Sequence, residues 1–387
     1  MSNAVLIQPD IAFTNQIIEL GGEDVFKCMQ CATCSAVCEL SPAENPFPRK
    51  EVIWSQWGLK NRLLGDPDIW LCHNCGDCSA RCPRGASPGT ILSAIRRQAV
   101  WHYATPQFLG AWMNRAGFLP VLILIPAVLL LLALLVRDPL AALLGISSDH
   151  GPGMQYANLF PHWLLIGFFT SFLILSLVSV ALGGLRFWRA VKRSDLLQTE
   201  QAPSKSLLSS FLTVVMDFLT HKRFGGCTVT ATRKRAHLGI FYGFLALFLV
   251  STWAVVLLYV LNPFMETPLP YPFSFWDPAK IIANLGALAL VAGCLIAMVE
   301  RIANTKTMGR STEFDWLFLG ILFLVGVTGL VTEGLRFAES VTAGYTVYFI
   351  HLILAFMLLI YLPFSKFSHA IYRTLAMTYA EQMGRRR

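Results

Sequence analysis

Six long apolar stretches limit what this chain can become. They run over about 117–136, 161–183, 238–261, 280–299, 315–335 and 345–364. An α-helix needs roughly 20 such residues to cross about 30 Å of hydrocarbon. One apolar helix can hide in the core of a soluble protein; six in series need lipid around them. In lipid the backbone has no water to bond to, so each stretch must close its own helical hydrogen-bond ladder. The chain is 55% hydrophobic and only 14% charged, outside the usual range for a soluble domain. That excess begins near Phe118 and stops near Phe364, which leaves residues 1–105 as a unit of ordinary polarity.

Lys and Arg mark the loops that stay in the cytoplasm. The segment from Leu185 to Ala236 carries Arg186, Arg189, Lys192, Arg193, Lys205, Lys222, Arg223, Arg233, Lys234 and Arg235. Arg301, Lys306 and Arg310 follow the fourth stretch, and the chain ends in Arg385, Arg386 and Arg387. The alternate loops are poor: 137–160 has only Arg137, 262–279 has none, and 336–344 has only Arg336. The reading is a multi-pass membrane protein with both termini in the cytoplasm. The net charge of +8 is thereby assigned to lipid and membrane sidedness, and no nucleic-acid partner is expected. The first residues lack a basic region followed by an apolar core, so no secretory signal is expected. Leu207–Leu219 reads as a helix in the membrane interface, or equally as one packed beneath the bundle or on the ferredoxin domain.

Eight of the ten cysteines fall in two runs, Cys28, Cys31, Cys34, Cys38 and Cys72, Cys75, Cys78, Cys82. Each reads C-x2-C-x2-C-x3-C. Three thiolates on a tight loop suit three corners of a 4Fe–4S cube, and in two-cluster proteins the fourth cysteine of each run crosses to the other cluster. Cys28, Cys31, Cys34 and Cys82 are therefore assigned to cluster 1, and Cys72, Cys75, Cys78 and Cys38 to cluster 2. A zinc site has no use for three cysteines at this spacing with a fourth close behind. With eight cysteines so used, disulfides are not implied and a reducing compartment is. Cys227 and Cys294 read as small buried side chains. Pro48 suits the first turn of a helix, Ile91–Gln98 is a second helical signal, and little alternation lies between Cys38 and Cys72. The unit is read as a helical ferredoxin. There is no glycine-rich dinucleotide fingerprint, so no flavin or nicotinamide site is expected. No Cys-Cys-Gly repeat of the kind used for disulfide reduction occurs either.

Ionisable groups within apolar spans default to function. His351 and His369 are 18 residues apart, five whole turns, so one helix is expected to carry both on the same face, one at each side of the membrane. His162 opens the second stretch and would lie at the outer face with His351; His237 opens the third and would lie at the inner face with His369. Two such pairs fit the axial ligands of two haems b. Taken singly, each histidine could equally be an interfacial side chain reaching water. His221 is a rival inner ligand, read as interface; His73 sits among the cluster cysteines; His102 and His150 read as surface residues. Arg233 and Arg336 are candidate propionate contacts, and Glu333 a candidate proton acceptor from quinol. Alternatively, Glu333 and Arg336 form a structural ion pair. The fold expected is all-α: a cytoplasmic ferredoxin domain over 1–105 with two 4Fe–4S clusters, then a six-helix transmembrane cytochrome b bundle over 106–387.

The two cysteine runs resemble the HdrC family of heterodisulfide reductase components. The remainder resembles the HdrE and nitrate reductase gamma cytochromes b, through His351, His369 and the motif His237-Leu-Gly-Ile-Phe. Those gamma proteins carry a second histidine ten residues on, where this chain has Leu247, so His162 is the substitute. The fusion resembles the QmoC family, membrane components of quinone-interacting oxidoreductase complexes. The resemblance implies menaquinol oxidation through two haems b and two 4Fe–4S clusters. Electrons would pass to cytoplasmic flavin and iron–sulfur proteins resembling QmoA and QmoB, and on to adenylylsulfate reductase in sulfate respiration. A heterodisulfide reductase-type complex, or a membrane anchor or redox sensor without turnover, are the alternatives.

Overall fold

The computed structural model describes residues 8–42, 45–146, 151–196, 203–222, 231–267, 269, 271–303 and 311–385. His150, Arg223, Cys227, Lys306, Arg310, Arg386 and Arg387 lie outside them. The described residues form helices and no strand, so the all-α expectation holds.

In the N-terminal unit, α1 spans Ile11–Ile17, α2 Arg49–Gln56 and α3 Pro88–Tyr103. Asp10 caps α1, its Oδ1 accepting from the Phe13 N–H at 2.9 Å, which satisfies a donor the helix itself leaves open. Pro88 starts α3, where a missing N–H costs nothing. Ile91, Leu92, Ile95 and Ala99 form the buried stripe of α3. They pack with Phe13, Ile17, Val52, Leu63 and Trp70, and the same core takes in Phe187, Val191, Tyr372, Ala376 and Tyr379 from the C-terminal two-thirds of the chain.

Six helices are long and apolar enough to cross a membrane: Ala116–Leu144, His162–Ser194, Thr232–Phe264, Pro278–Ala303, Glu313–Phe337 and Val341–Ile360, here spans one to six. Span two continues well past residue 183. Phe187 and Val191 are buried against the N-terminal unit, which stabilises the extra turns. Arg186, Arg189, Lys192 and Arg193 thus ride on a helical extension, not on a loop. Spans three and four approach closely because glycines face each other: a Cβ on Gly243 would stand 2.5 Å from the Gly286 carbonyl oxygen.

Outside the spans, α4 covers Leu207–Thr220 and α5 Ser368–Gln382. α4 packs against α5 and buries Ser210 and Val214, while Leu208, Leu212 and Met216 stay exposed. The Tyr242 hydroxyl in span three donates to the Leu219 carbonyl, so the end of α4 is tied to the bundle.

One expectation fails here. Span six stops at Ile360, a short 3-10 turn runs over Leu362–Phe364, Ser365 is extended, and α5 starts at Ser368. His351 and His369 are on different helices, so the five-turn argument does not apply. Pro363 causes the break, having no N–H to offer and a ring that collides with the preceding turn. The carbonyl it would have engaged, that of Leu359, instead accepts from the Ser176 hydroxyl at 2.8 Å.

Candidate redox centres

The two cysteine runs fold alike. In the first, Gln30 and Ala32 have φ of 60° and 67°; in the second, Asn74 and Gly76 have φ of 54° and 91°. These left-handed residues are costly for side chains with a Cβ, and they recur at equivalent places. They turn backbone N–H groups toward sulfur: Gln30 to Cys28 Sγ at 3.5 Å and Asn74 to Cys72 Sγ at 3.3 Å. A short helix follows in each, Thr33–Ala36 holding Cys34 and Asp77–Ala80 holding Cys78. The fourth cysteines sit in matching turns, Ser41 N–H to the Cys38 carbonyl at 3.0 Å and Gly85 N–H to the Cys82 carbonyl at 3.1 Å. Pro83 after Cys82, absent after Cys38, leaves the backbone pattern unchanged.

Cys28, Cys31, Cys34 and Cys82 line one cavity, and Cys38, Cys72, Cys75 and Cys78 line another, together with His73. The crossed grouping expected from spacing is the grouping that the fold brings together. All eight are free thiols. Burial pushes Cys34 and Cys38 up to about 11 and Cys78 up to about 12. Such thiolates are stable only beside a concentrated positive charge, which iron supplies. The donor sets fit two 4Fe–4S clusters.

The histidines divide into two groups. At the end of the bundle beside the ferredoxin unit, here called inner, His221, His237 and His369 converge. The His221 and His237 rings are 5.1 Å apart, and His369 lies near enough for its charge to act on His237. His221, expected at an interface, is 7% exposed, capping α4 in a left-handed conformation between the rings of Phe218 and Phe241. Its Nδ1–H donates to the Leu219 carbonyl at 3.3 Å, and that of His369 to the Lys366 carbonyl, so both keep Nε2 for a metal. His369 keeps accessible surface, although neighbouring groups crowd its ring. Burial pushes it down to about 4, leaving the neutral imidazole a metal requires.

At the opposite end of the bundle, here called outer, His162 and His351 share a depth. Spans two and six run parallel, with Phe160 stacked on Phe349 at 6.3 Å and Phe356 packed on Phe168 and Phe172 at 4.8 Å. Their rings meet different neighbours. His162 stands on Tyr271 at 5.4 Å. His351 Nδ1 is 3.0 Å from the Thr328 hydroxyl, which itself donates to the Leu324 carbonyl at 2.6 Å and so accepts from His351. A Cβ on Gly329 would come within 3.2 Å of the His351 ring; glycine leaves the imidazole its room. Thr328 fixes the tautomer with Nε2 free, which fits a haem ligand.

Glu333 pairs with Lys280 at 2.8 Å and accepts from Asn284 at 3.2 Å, not with Arg336 as the alternative supposed. Arg336 lies over the rings of Phe337 and Tyr156, at 4.6 and 5.8 Å. Arg233 points to the carbonyls of Asn74 and Cys75 at 3.3 and 3.4 Å, away from the propionate role expected of it. Thr328, Lys280, Asn284 and Arg373 were missed from sequence. Arg373 stood visibly one turn beyond His369; the others left no local signal.

Residues 24–86 match a 4Fe–4S dicluster domain, and residues 114–387 match the family described as citrate utilization protein B. The citrate utilization protein B of Escherichia coli is 26% identical over 300 residues, covering 74% of this chain and 72% of that protein. The HdrE protein of the dihydromethanophenazine:CoB–CoM heterodisulfide reductase of Methanosarcina acetivorans is 30% identical over 149 residues, 36% of this chain and 56% of that protein. An HdrC-like heterodisulfide reductase protein of Archaeoglobus profundus is 38% identical over 89 residues, 23% of this chain and 47% of its own length. No solved structure matches the chain at a significant level. The two-part likeness to HdrC and HdrE expected from the motifs is found, and with the iron–sulfur domain it marks a multi-pass membrane electron-transfer protein. Since the matched family spans most of its length, this chain belongs to the citrate utilization protein B family.

Proposed function

We propose that the chain carries electrons between the membrane quinone pool and a cytoplasmic redox partner, through two haems b and two 4Fe–4S clusters. The observation that supports this most is the convergence of His221, His237 and His369 beside the loop that forms the second cysteine cavity. The division is a ferredoxin unit over 1–105 in the cytoplasm of a bacterium and a bundle over 106–387 in its inner membrane. When bound, haems and clusters supply one-electron chemistry. The chain's part is to hold them: His237 and His369 as inner ligands, His162 and His351 as outer ones, the cysteines in their crossed sets. Glu333, paired with Lys280, would take a proton from menaquinol in the outer half of the bundle.

In the QmoC-like direction each menaquinol releases two protons and two electrons. The electrons leave singly through the chain to flavin-containing proteins resembling QmoA and QmoB, then to adenylylsulfate reductase. The family's name favours a second direction, in which a partner acting in citrate utilization delivers electrons and quinone receives them. The dithionite-reduced minus oxidised spectrum of the purified protein, with haem and iron per chain, tests the common core. About two haems b and about eight non-haem irons are expected. Iron without haem overturns the haem reading and leaves a membrane anchor or sensor. Haem reduction by a menaquinol analogue, against reduction by a cytoplasmic partner, then separates the two directions.

A further inference from the structure

Two arginines hold the second cysteine loop from the membrane side. Arg373 Nη1 donates to the Cys72 carbonyl at 3.0 Å. Arg233 Nη1 reaches the Asn74 and Cys75 carbonyls at 3.3 and 3.4 Å. Their positions are related in a way that the distances alone hide. Arg233 stands four residues before His237 in the helix that opens span three, and Arg373 four residues after His369 in α5. Four residues make one turn, about 6 Å, and bring side chains onto the same helix face. In both helices the arginine is the residue on the ferredoxin side. Each helix thus offers an imidazole to the inner histidine cluster and, one turn away, a guanidinium to the same loop.

We infer that Arg233 and Arg373 are positioning residues that lock cluster 2 in register with the inner histidines. This makes cluster 2 the one that exchanges electrons with the membrane and leaves cluster 1 to the soluble partner. The surroundings of cluster 1 agree. Cys31 is exposed, Phe26 and Met29 beside it are each 63% exposed, and the described contacts of its loop run to α2, within the N-terminal unit. Two fixed positive charges at the carbonyls of Cys72 and Cys75 also favour the reduced, more negative state of cluster 2. This inference rests on the electron-carrier reading and adds an order to it.

The test uses the full-length protein in membranes, with Arg233→Gln, Arg373→Gln and Arg373→Lys, and iron per chain as the check on assembly. Each cluster is followed by redox titration with electron paramagnetic resonance, and cluster 2 reduction by haem is timed after rapid mixing with a quinol analogue. The glutamine variants should keep their iron, lower the cluster 2 midpoint without moving cluster 1, and slow cluster 2 reduction about tenfold, as loss of an orienting contact does. Arg373→Lys, which keeps charge and loses the forked geometry, should retain most of the midpoint and still slow the transfer. If a glutamine variant loses its iron, the lysine variant alone decides. Unchanged midpoint and rate, or equal shifts in both clusters, overturn the inference. A protein whose haems ignore quinol but whose cluster 2 midpoint alone still falls keeps the arginine clamp and removes the quinol reading.

Discussion

The inner and outer histidine groups are built differently. Inside, three imidazoles come from three ends of structure: the left-handed cap of α4, the first turns of span three and the first turn of α5. Helix ends converge there because span six has broken at Pro363 and the ferredoxin unit is docked beneath. Outside, His162 opens a helix but His351 lies within a continuous one, and their rings rest on separate neighbours, Tyr271 and Thr328. The difference teaches that side chains converge where chain ends can be steered independently. Within an unbroken bundle each ring is instead held by the neighbours of its own helix.

Four variant sets bear on this comparison. The largest effect belongs to His369→Ala and His351→Ala, each expected to remove one of about two haems completely while iron stays at about eight per chain; a pyridine haemochrome assay that finds both haems in either variant collapses the two-level arrangement. Next is Glu333→Gln, expected to slow quinol oxidation by about a hundredfold, at the lower end of what a lost general base costs. Haem content should be unchanged, and a wild-type steady-state rate would confine Glu333 to its ion pair with Lys280. Thr328→Val takes the acceptor from His351 Nδ1 and should weaken outer haem retention by about tenfold or more, leaving the inner haem intact. The smallest effect sharpens the inner group. His237→Ala should lose the inner haem, whereas His221→Ala should keep it with a shifted spectrum; the reverse result transfers the ligand role to His221.

Much of the candidate site could be read from residues alone. Cysteine spacing at 28–38 and 72–82 lets a short loop bring three thiolates to one cluster while two-cluster ferredoxins cross the fourth, so the crossed grouping followed before any fold was known. His351 and His369 misled for a physical reason. Periodicity predicts a common face only along an unbroken helix, and Pro363 was passed over because the apolar run continues through it. His221 was placed at an interface because its neighbours Lys222 and Arg223 are polar, although its own ring is buried. Arg233 was assigned to propionates because nothing local reveals that a loop more than 150 residues away lies against it.

By itself the sequence determined the all-α class, the six membrane-length helices and the two cysteine quartets. Each depends on local quantities: hydrocarbon thickness, helical rise and the reach of a short loop. The tertiary structure alone decided that the ferredoxin core absorbs Phe187, Val191 and Tyr372. It also decided that Ser176 takes the carbonyl freed by Pro363, and that two arginines join the second cysteine loop to the inner histidines. These are contacts between distant parts of the chain. Their geometry follows from how whole helices pack, and no short window of residues carries it.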